Sequence, residues 1–599
     1  MPFLNDPRRG DIEDDASSTK LWSLASLAGW VLVEISIPKL LLASVLLFGL
    51  PCLLLGAAPL LVTAWLSSAS SSVTQLVTGL VAPVAVLAGL IGLALFGLRP
   101  AFRLAERSFW SLNALTVQPS FVLCREAMRH FLAHRLSLYL RRDGARVGRF
   151  TALAAASLMS LAAAVAAWLA WPHSRWIGSW REIAEPLSLL GAAFANSVVL
   201  FGGYVAVVAL VWGWADSAMG QPVTLSRRDP EPQGGARPLR VAHLSDLHTV
   251  GERFGFRIES GRKGPQGNER LVRTLAALQR ADEQDPLDLI LVTGDMTDAG
   301  RAAEWSEFLE ALERHPELRD RMLFLPGNHD VNVVDRANPA RLDLPFSPGK
   351  KLRQLRALGL LAGLQGDRVR VGVPPEKGEA PTLNAWLAPH AAAMTTFLRT
   401  GRGKRARDIR ALWDEAFPMW TPPATPDGLG VILLNSNADT HFSFTNALGL
   451  MPAEQERRVD AILGAYPEAA WIVALHHHLT EYPRPTRSLS ERIGTALING
   501  SWFLRQLKPQ SRRLVVMHGH RHVDWTLCCG DLRIVSAPSP VMGEPYFLIQ
   551  RFTAGDGRLG LLNAQRVTLG DEAEGAAPDA LRPSTNVTPG RFPAPIPGV

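Results

Sequence analysis

Apolar residues follow two rhythms along this chain: long unbroken runs before about Ala215, and short runs interrupted by charge after Arg237. Crossing a bilayer takes about 20 apolar residues in a helix. Four stretches reach that length: Leu40–Leu66, Val73–Leu98, Phe150–Trp171 and Leu187–Trp214. Uncharged runs of this length seldom recur four times in a soluble chain, so the pattern predicts a membrane region of four transmembrane helices over residues 40–215. At 1.5 Å per residue the first would reach roughly 40 Å if wholly helical, so it tilts or ends early. Leu21–Ile37 is shorter, carries Glu34 and stops at Pro38. It reads as an interfacial helix or a fifth span. Residues 1–39 open on a polar stretch of mixed charge, unlike a cleaved signal peptide.

From Leu239 the pattern becomes short apolar strands alternating with amphipathic helices, an α/β signature. Strands are predicted at Leu239–Leu244, Leu287–Thr293, Met322–Leu325, Val431–Leu434, Trp471–Leu475 and Leu514–Met517. Helices are predicted at Asn268–Glu283, Ala302–Arg314 and Glu454–Ala465. This gives a soluble domain over 238–567, with a helical insertion at about 335–428. A linker at 216–237, rich in Pro, Gly and charge, precedes it. Residues 568–599 lack periodicity and read as a disordered tail.

Composition adds orientation. The net charge of +7 suits an anionic partner without choosing among phospholipid, nucleotide and nucleic acid. Placement is more informative than the total. Ser67–Ser72 has no charge and Pro172–Pro186 holds only Arg175 and Arg181 against Glu182 and Glu185, whereas Arg99–Arg149 contains ten arginines. Arg227, Arg228, Arg237 and Arg240 follow the last span. Positive charge stays on the cytoplasmic side, so both termini and the soluble domain are expected in the cytoplasm, on an inner or plasma membrane. Trp168, Trp171, Trp176, Trp180, Trp212 and Trp214 fall near span ends, where indoles favour the interface. The four cysteines, Cys52, Cys124, Cys528 and Cys529, suggest neither a disulfide framework nor a zinc ribbon.

Chemistry-bearing residues recur where the strands end. The first predicted strand runs into Asp246-Leu247-His248, the second into Gly294-Asp295-Met296-Thr297-Asp298, and the third into Gly327-Asn328-His329-Asp330. Later strands run into His476-His477-His478 and His518-Gly519-His520-Arg521-His522. Open α/β sheets bind ligands at that edge. Mixed carboxylates, imidazoles and one amide oxygen suit Mn, Fe, Zn, Co or Ni better than a thiolate site would. One Asp can bridge two ions a few ångströms apart. Glycines before Asp295, Asn328 and His520 let the backbone turn tightly there.

In this order the blocks D-x-H, G-D-x-x-D, G-N-H-D, a strand-end His and G-H-x-H resemble a calcineurin-like metallophosphoesterase domain over about Pro238–Val567. The resemblance implies an αββα sandwich behind the transmembrane helices, and a metal-dependent phosphoric ester hydrolase. It implies one metal on Asp246, His248 and His522, a second on Asn328, His476 and His520, and Asp295 bridging them. Within the triplet His476 is the expected ligand and His477 the alternative. It further implies in-line attack by a metal-bridging hydroxide on a phosphate mono- or diester. His329 would contact the phosphoryl group or protonate the leaving group, with Asp330 orienting its imidazole. Asp298 is expected to support its loop, and Asn435-Ser436-Asn437 to be structural.

Substrate choice is less legible. Cyclic nucleotides are the leading expectation, with a phospholipid or lipid-linked pyrophosphate next because of the anchor. A membrane sensor using the fold only for binding is the reading of a different class. No aromatic and basic interleaving suggests strand tracking, so no specific nucleic acid partner is expected. Two basic segments read either as a solvated face or as a surface that contacts an anionic substrate or lipid. One is Gly251–Asn268, with Arg253, Arg257, Arg262 and Lys263. The other is the insertion's run Arg399, Arg402, Lys404, Arg405, Arg407 and Arg410.

Overall fold

The structure, a computed structural model, describes residues 49–76, 117–135, 144–179, 186–218 and, with short interruptions, 223–570. Its centre is a pair of sheets. The smaller holds Leu239–Leu244, Leu289–Val292 and Met322–Phe324 in parallel, with Val241 opposite Leu289 and Ile290 opposite Met322. Tyr546–Gly555 runs antiparallel beside the first of these, and carries Arg558–Leu561 and Gln565–Thr568 on its other edge. The larger sheet has eight strands, with Leu429–Leu433, Ala470–Ala474, Leu514–His518 and Leu532–Ser536 parallel at its centre.

Side-chain alternation shows why the sheets stack. Successive residues of a strand face opposite sides. Val431, Leu433, Ile472, Ala474, Val515 and Met517 share a core with Val241, Ile290 and Val292 of the other sheet. Their neighbours Ile432, Trp471, Val473 and Val516 face outward onto Val459, Ile462 and Leu463 of helix Ala453–Ala465. The smaller sheet is covered by Leu271, Leu275 and Leu278 of helix Glu269–Gln284, and by Trp305 and Phe308 of helix Ala302–Glu313. Both faces of both sheets are thus buried, which explains runs of unbroken apolar residues in the strands. The result is a mixed α/β domain with two facing sheets between helices.

Among the described residues, five strands of the larger sheet lie outside the expected ones: Val223–Thr224, Arg370–Val371, Met419–Thr421, Trp525–Cys529 and Leu532–Ser536. Val223–Thr224, within the expected linker, pairs with Trp525–Cys529. The insertion supplies Arg370–Val371 and Met419–Thr421 at the opposite edge, and its helix Pro348–Gln365 buries Leu355, Leu358 and Leu361 in the inter-sheet core. The insertion is therefore woven into the domain.

Among the described residues before the domain, three helices are long and apolar enough to cross a membrane, with candidate spans at Leu50–Ser67, Val147–His173 and Leu189–Trp214. The expected connection at Ser67–Ser72 is instead helical, because helix Leu50–Leu76 runs through it. A serine hydroxyl can fold back on its own helix, as Ser67 does by donating to the Ala64 carbonyl at 2.8 Å. The rest of the expected second span, Leu21–Ile37 and the tail beyond Gly570 lie outside the described residues. Trp212 departs from the interfacial expectation. It is 5% exposed, packed with Val117, Phe121, Ala156 and Val208, whereas Trp168 and Trp214 are 73% and 69% exposed.

Candidate metal centre

The parallel strands of both sheets end at one place, and their loops bring the predicted residues together. Five of these hold left-handed backbone: Asp246 (φ 55°), His248 (42°), Asp295 (50°), His520 (71°) and His522 (55°). Non-glycine residues rarely adopt this region, and such strain persists where surrounding structure holds it. The preceding glycines serve two purposes. Gly294 has φ 95°, and a methyl there would stand 2.7 Å from His476 Nδ1. Gly327 is extended, but a methyl would run into the backbone nitrogen and Oδ1 of Asp295.

Hydrogen bonds fix which ring atoms face inward. The Thr293 carbonyl lies 2.8 Å from His476 Nδ1, and a carbonyl only accepts, so Nδ1 carries the hydrogen and Nε2 the lone pair. The Thr495 carbonyl does the same for His520 Nε2 at 3.1 Å, which turns His520 Nδ1 inward. His476 Nε2 then lies 3.1 Å from both His520 Nδ1 and Asn328 Oδ1, and 3.2 Å from Asp295 Oδ2. Four electron-pair donors converge, and only a positive charge reconciles them. A proton shows the same demand: burial disfavours a charged His476, but Asp295 outweighs it and lifts the ring to about 9.

The second set is built alike. Asp298 Oδ1 stands 3.2 Å from His248 Nδ1, leaving His248 Nε2 to face His522 Nε2 at 3.3 Å. His522 Nε2 is in turn 3.2 Å from Asp246 Oδ1. Asp295 Oδ2 lies between the sets, 3.9 Å from His248 Nε2. Burial alone would lift the carboxyls of Asp246 and Asp295. His522 beside the first, and His476 with His329 around the second, hold both below the usual carboxylate range. All these donors are buried except His522, which is half-buried. Carboxylate, imidazole and amide donors in two sets with a shared oxygen fit a pair of transition-metal ions.

His329 donates its backbone N–H to Asp295 Oδ1 at 2.8 Å, and its ring stands edge-on to His248, 4.7 Å between centroids. The structure corrects the expectation for Asp330. Its carboxylate accepts from the backbone of Thr297 and Gly327, both at 2.9 Å, and from the Thr297 hydroxyl at 2.8 Å. It therefore ties the Asp295 and Asn328 loops together, and the His329 ring is held through Nδ1 by the Asp298 carbonyl at 2.6 Å. His477 turns away, with Nδ1 2.9 Å from Ser436 Oγ, so the first histidine of the triplet is the one in the donor set. Asn437 donates to the Pro326 carbonyl at 3.0 Å, a supporting role as expected. His243 and His518 are buried strand histidines outside both sets, pushed down to about 3 by desolvation.

Several supports escaped the sequence reading. Arg257, read as a substrate-facing cation, is fully buried. It donates to the carbonyls of His248 (2.9 Å), Pro265 (2.9 Å) and Gly267 (2.6 Å), clamping its loop. Arg353 donates to the Val331 carbonyl at 3.1 Å and Arg356 to the Gly300 carbonyl at 3.0 Å, while Lys350 reaches the Thr440 carbonyl at 2.8 Å and pairs with Asp439. Their i, i+3, i+6 spacing on one helix was the available signal. Of the basic run at Arg399–Arg410, no side chain lies within the described residues.

The family model for calcineurin-like phosphoesterases matches residues 239–524. Among solved structures, the chain is similar to a protein assigned as a 5′-nucleotidase from Staphylococcus aureus, at 15% identity and TM-score 0.29 over 57% of this chain. It spans 56% of that protein's length. A dimetal phosphatase from Danio rerio is 11% identical with TM-score 0.31, over 56% of this chain and all of that one. PhoD is 11% identical with TM-score 0.27, over 57% of this chain and 70% of that one. Of proteins with curated descriptions, none matches.

Proposed function

We propose that this chain is a membrane-anchored two-metal phosphoesterase acting on a phosphate mono- or diester, a reading supported by the match of residues 239–524 to the calcineurin-like phosphoesterase family model. The observation that carries it is the convergence of lone pairs around Asp295 Oδ2. Asp246, His248 and His522 would hold one ion, Asn328, His476 and His520 the other, with Asp295 shared. Bound there, two transition-metal ions supply Lewis acidity, which screens the phosphoryl oxygens and acidifies a water.

The chain's own residues do the rest. The Thr293 and Thr495 carbonyls hold the imidazoles of His476 and His520 in the tautomers that keep a lone pair inward, and the Asp298 carboxylate stands 3.2 Å from His248 Nδ1. The Asp298 carbonyl fixes Nδ1 of His329, so Nε2 is the nitrogen that passes a proton to the leaving alkoxide. Small phosphodiesters such as cyclic nucleotides are the first substrate class. Three apolar helices favour a lipid-linked phosphate ester as the second. A binding module without turnover would be expected to have lost donors, yet all seven stand in the two sets. Arginine placement supports a cytoplasmic domain.

The purified full chain, assayed with Mn on a generic aryl phosphodiester, should lose at least about 100-fold in turnover on His329→Ala. Equal turnover in variant and wild type would remove His329 from the reaction. Metal-independent turnover would overturn the enzyme reading. Cyclic nucleotides, nucleotide diesters and phospholipids in parallel would then rank the substrate classes.

A further inference from the structure

Helix Gly500–Leu507 of the phosphoesterase domain lies against the apolar helices. Trp502 packs on two cores at once. One is the outer core of the larger sheet, with Leu497 and Phe503. The other is the cluster around Trp212, built from helices Gln118–Arg135, Gly144–Ala170 and Pro186–Ser217. One turn on, the Arg505 guanidinium stands 5.9 Å from the centre of the Trp212 ring. Asp216, a turn beyond Trp212, pairs with Arg125 at 2.5 Å and is itself 8% exposed. Trp502 packing and the Arg505 guanidinium over the Trp212 ring thus join the two regions at the last turns of helix Pro186–Ser217.

The other end of this element reaches the metal centre. The Thr495 carbonyl is the acceptor that turns His520 Nδ1 inward, and Thr495 Oγ1 accepts from Arg521 Nη1 at 3.1 Å. Between Thr495 and the helix, Ile498 donates to the Gly449 carbonyl at 2.9 Å, and Asn499 bonds both backbone groups of Met451 at 2.8 and 2.7 Å. A methyl on Gly500 would stand 2.6 Å from the carbonyl of Leu479, so the helix start is also seated on the loop after His476. A displacement of the helix therefore meets both histidine loops.

We propose that Trp212, Trp502 and Arg505 form a joint through which the packing of the apolar helices sets the position of the His520 ring, and with it metal affinity. The inference rests on His520 being a metal ligand. Trp502 and Arg505 are positioning residues, acting through Thr495. A change that separates the helices from Trp502 loosens the Thr495–Asn499 tract, and the His520 lone pair loses its fixed direction.

The test uses the full chain in lipid nanodiscs. Trp212 belongs to the apolar helices and makes no part of the phosphoesterase core, so Trp212→Ala probes the joint from outside. Arg505→Gln probes it from the domain side, and decides the matter if Trp212→Ala fails to fold. Trp214→Ala, on the same helix at an exposed position, is the control. Direct Mn titration should show affinity weakened about 2- to 30-fold in the first two variants and unchanged in the third. In metal-free protein, hydrogen exchange over residues 495–500 should rise in the same two. Unchanged Mn affinity in Trp212→Ala and Arg505→Gln overturns the proposal, whatever exchange shows. His520→Ala should lose one of two ions; if it keeps both, the ligand reading itself fails.

Discussion

At the residue scale, the donor set was legible because each ligand follows an apolar run, and the types chosen share a preference for transition metals. What no residue type could announce is backbone conformation. The left-handed φ at five candidate donor positions arises because loops from two sheets must close on one point, which is tertiary. The supporting groups were illegible for a related reason: Thr293 and Thr495 act through carbonyls, which every residue has. Asp330 illustrates the limit, since its place beside His329 suggested a side-chain contact that the loop geometry gives to the Asp298 carbonyl instead. Glu304 yields a prediction here. Burial and nearby Asp298 push its carboxyl from 4.5 up to about 8, while it accepts from the Ala299 and Arg301 backbones at 2.8 and 3.1 Å. A raised folded pKa means its contribution to stability is present below 4.5 and lost as pH rises toward about 8. Glu304→Gln keeps the acceptor and removes the titration. Its melting temperature should exceed wild type at pH ~8.5 and match it near pH ~4.5, and parallel pH profiles would contradict this.

At the element scale, the predicted strands recur within one or two residues. Leu239–Leu244 is reproduced as read, and Leu287–Thr293 shortens to Leu289–Val292. Short buried strands are readable because both faces are apolar and loops of special composition bound them. The insertion was harder, because the basic residues of its helix Pro348–Gln365 drew no reading from the sequence, and burial places Lys350, Arg353 and Arg356 in the site's scaffold. Arg356 holds the Gly300 carbonyl, two residues from Asp298, whose carbonyl holds the His329 ring and whose carboxylate stands beside His248. A hydrogen bond to a charged group contributes about 1.5–3 kcal/mol. Arg356→Met should therefore lower kcat roughly tenfold or more, with KM changed far less, in steady-state assays of the folded variant. A change confined to KM would place Arg356 at the substrate instead.

For the whole molecule, hydropathy predicted long apolar helices followed by an α/β domain, but not how they meet. Contact between helix Gly500–Leu507 and Trp212 joins segments nearly three hundred residues apart, and no local pattern encodes it. The arginine asymmetry predicts one topology. A fluorescent protein fused at the C-terminus should be bright and an alkaline phosphatase fusion silent, and the reverse pair would place the domain across the membrane.

A two-ion centre organised by Asp295 would show itself in the metal content of the purified chain. After loading with Mn and exhaustive dialysis, the wild-type full chain should retain two ions per chain by elemental analysis. Asp295→Ala should retain at most one, because both sets lose their shared oxygen, and its turnover should collapse with the loss. Retention of two ions by Asp295→Ala, or of one or none by wild type, would contradict the account.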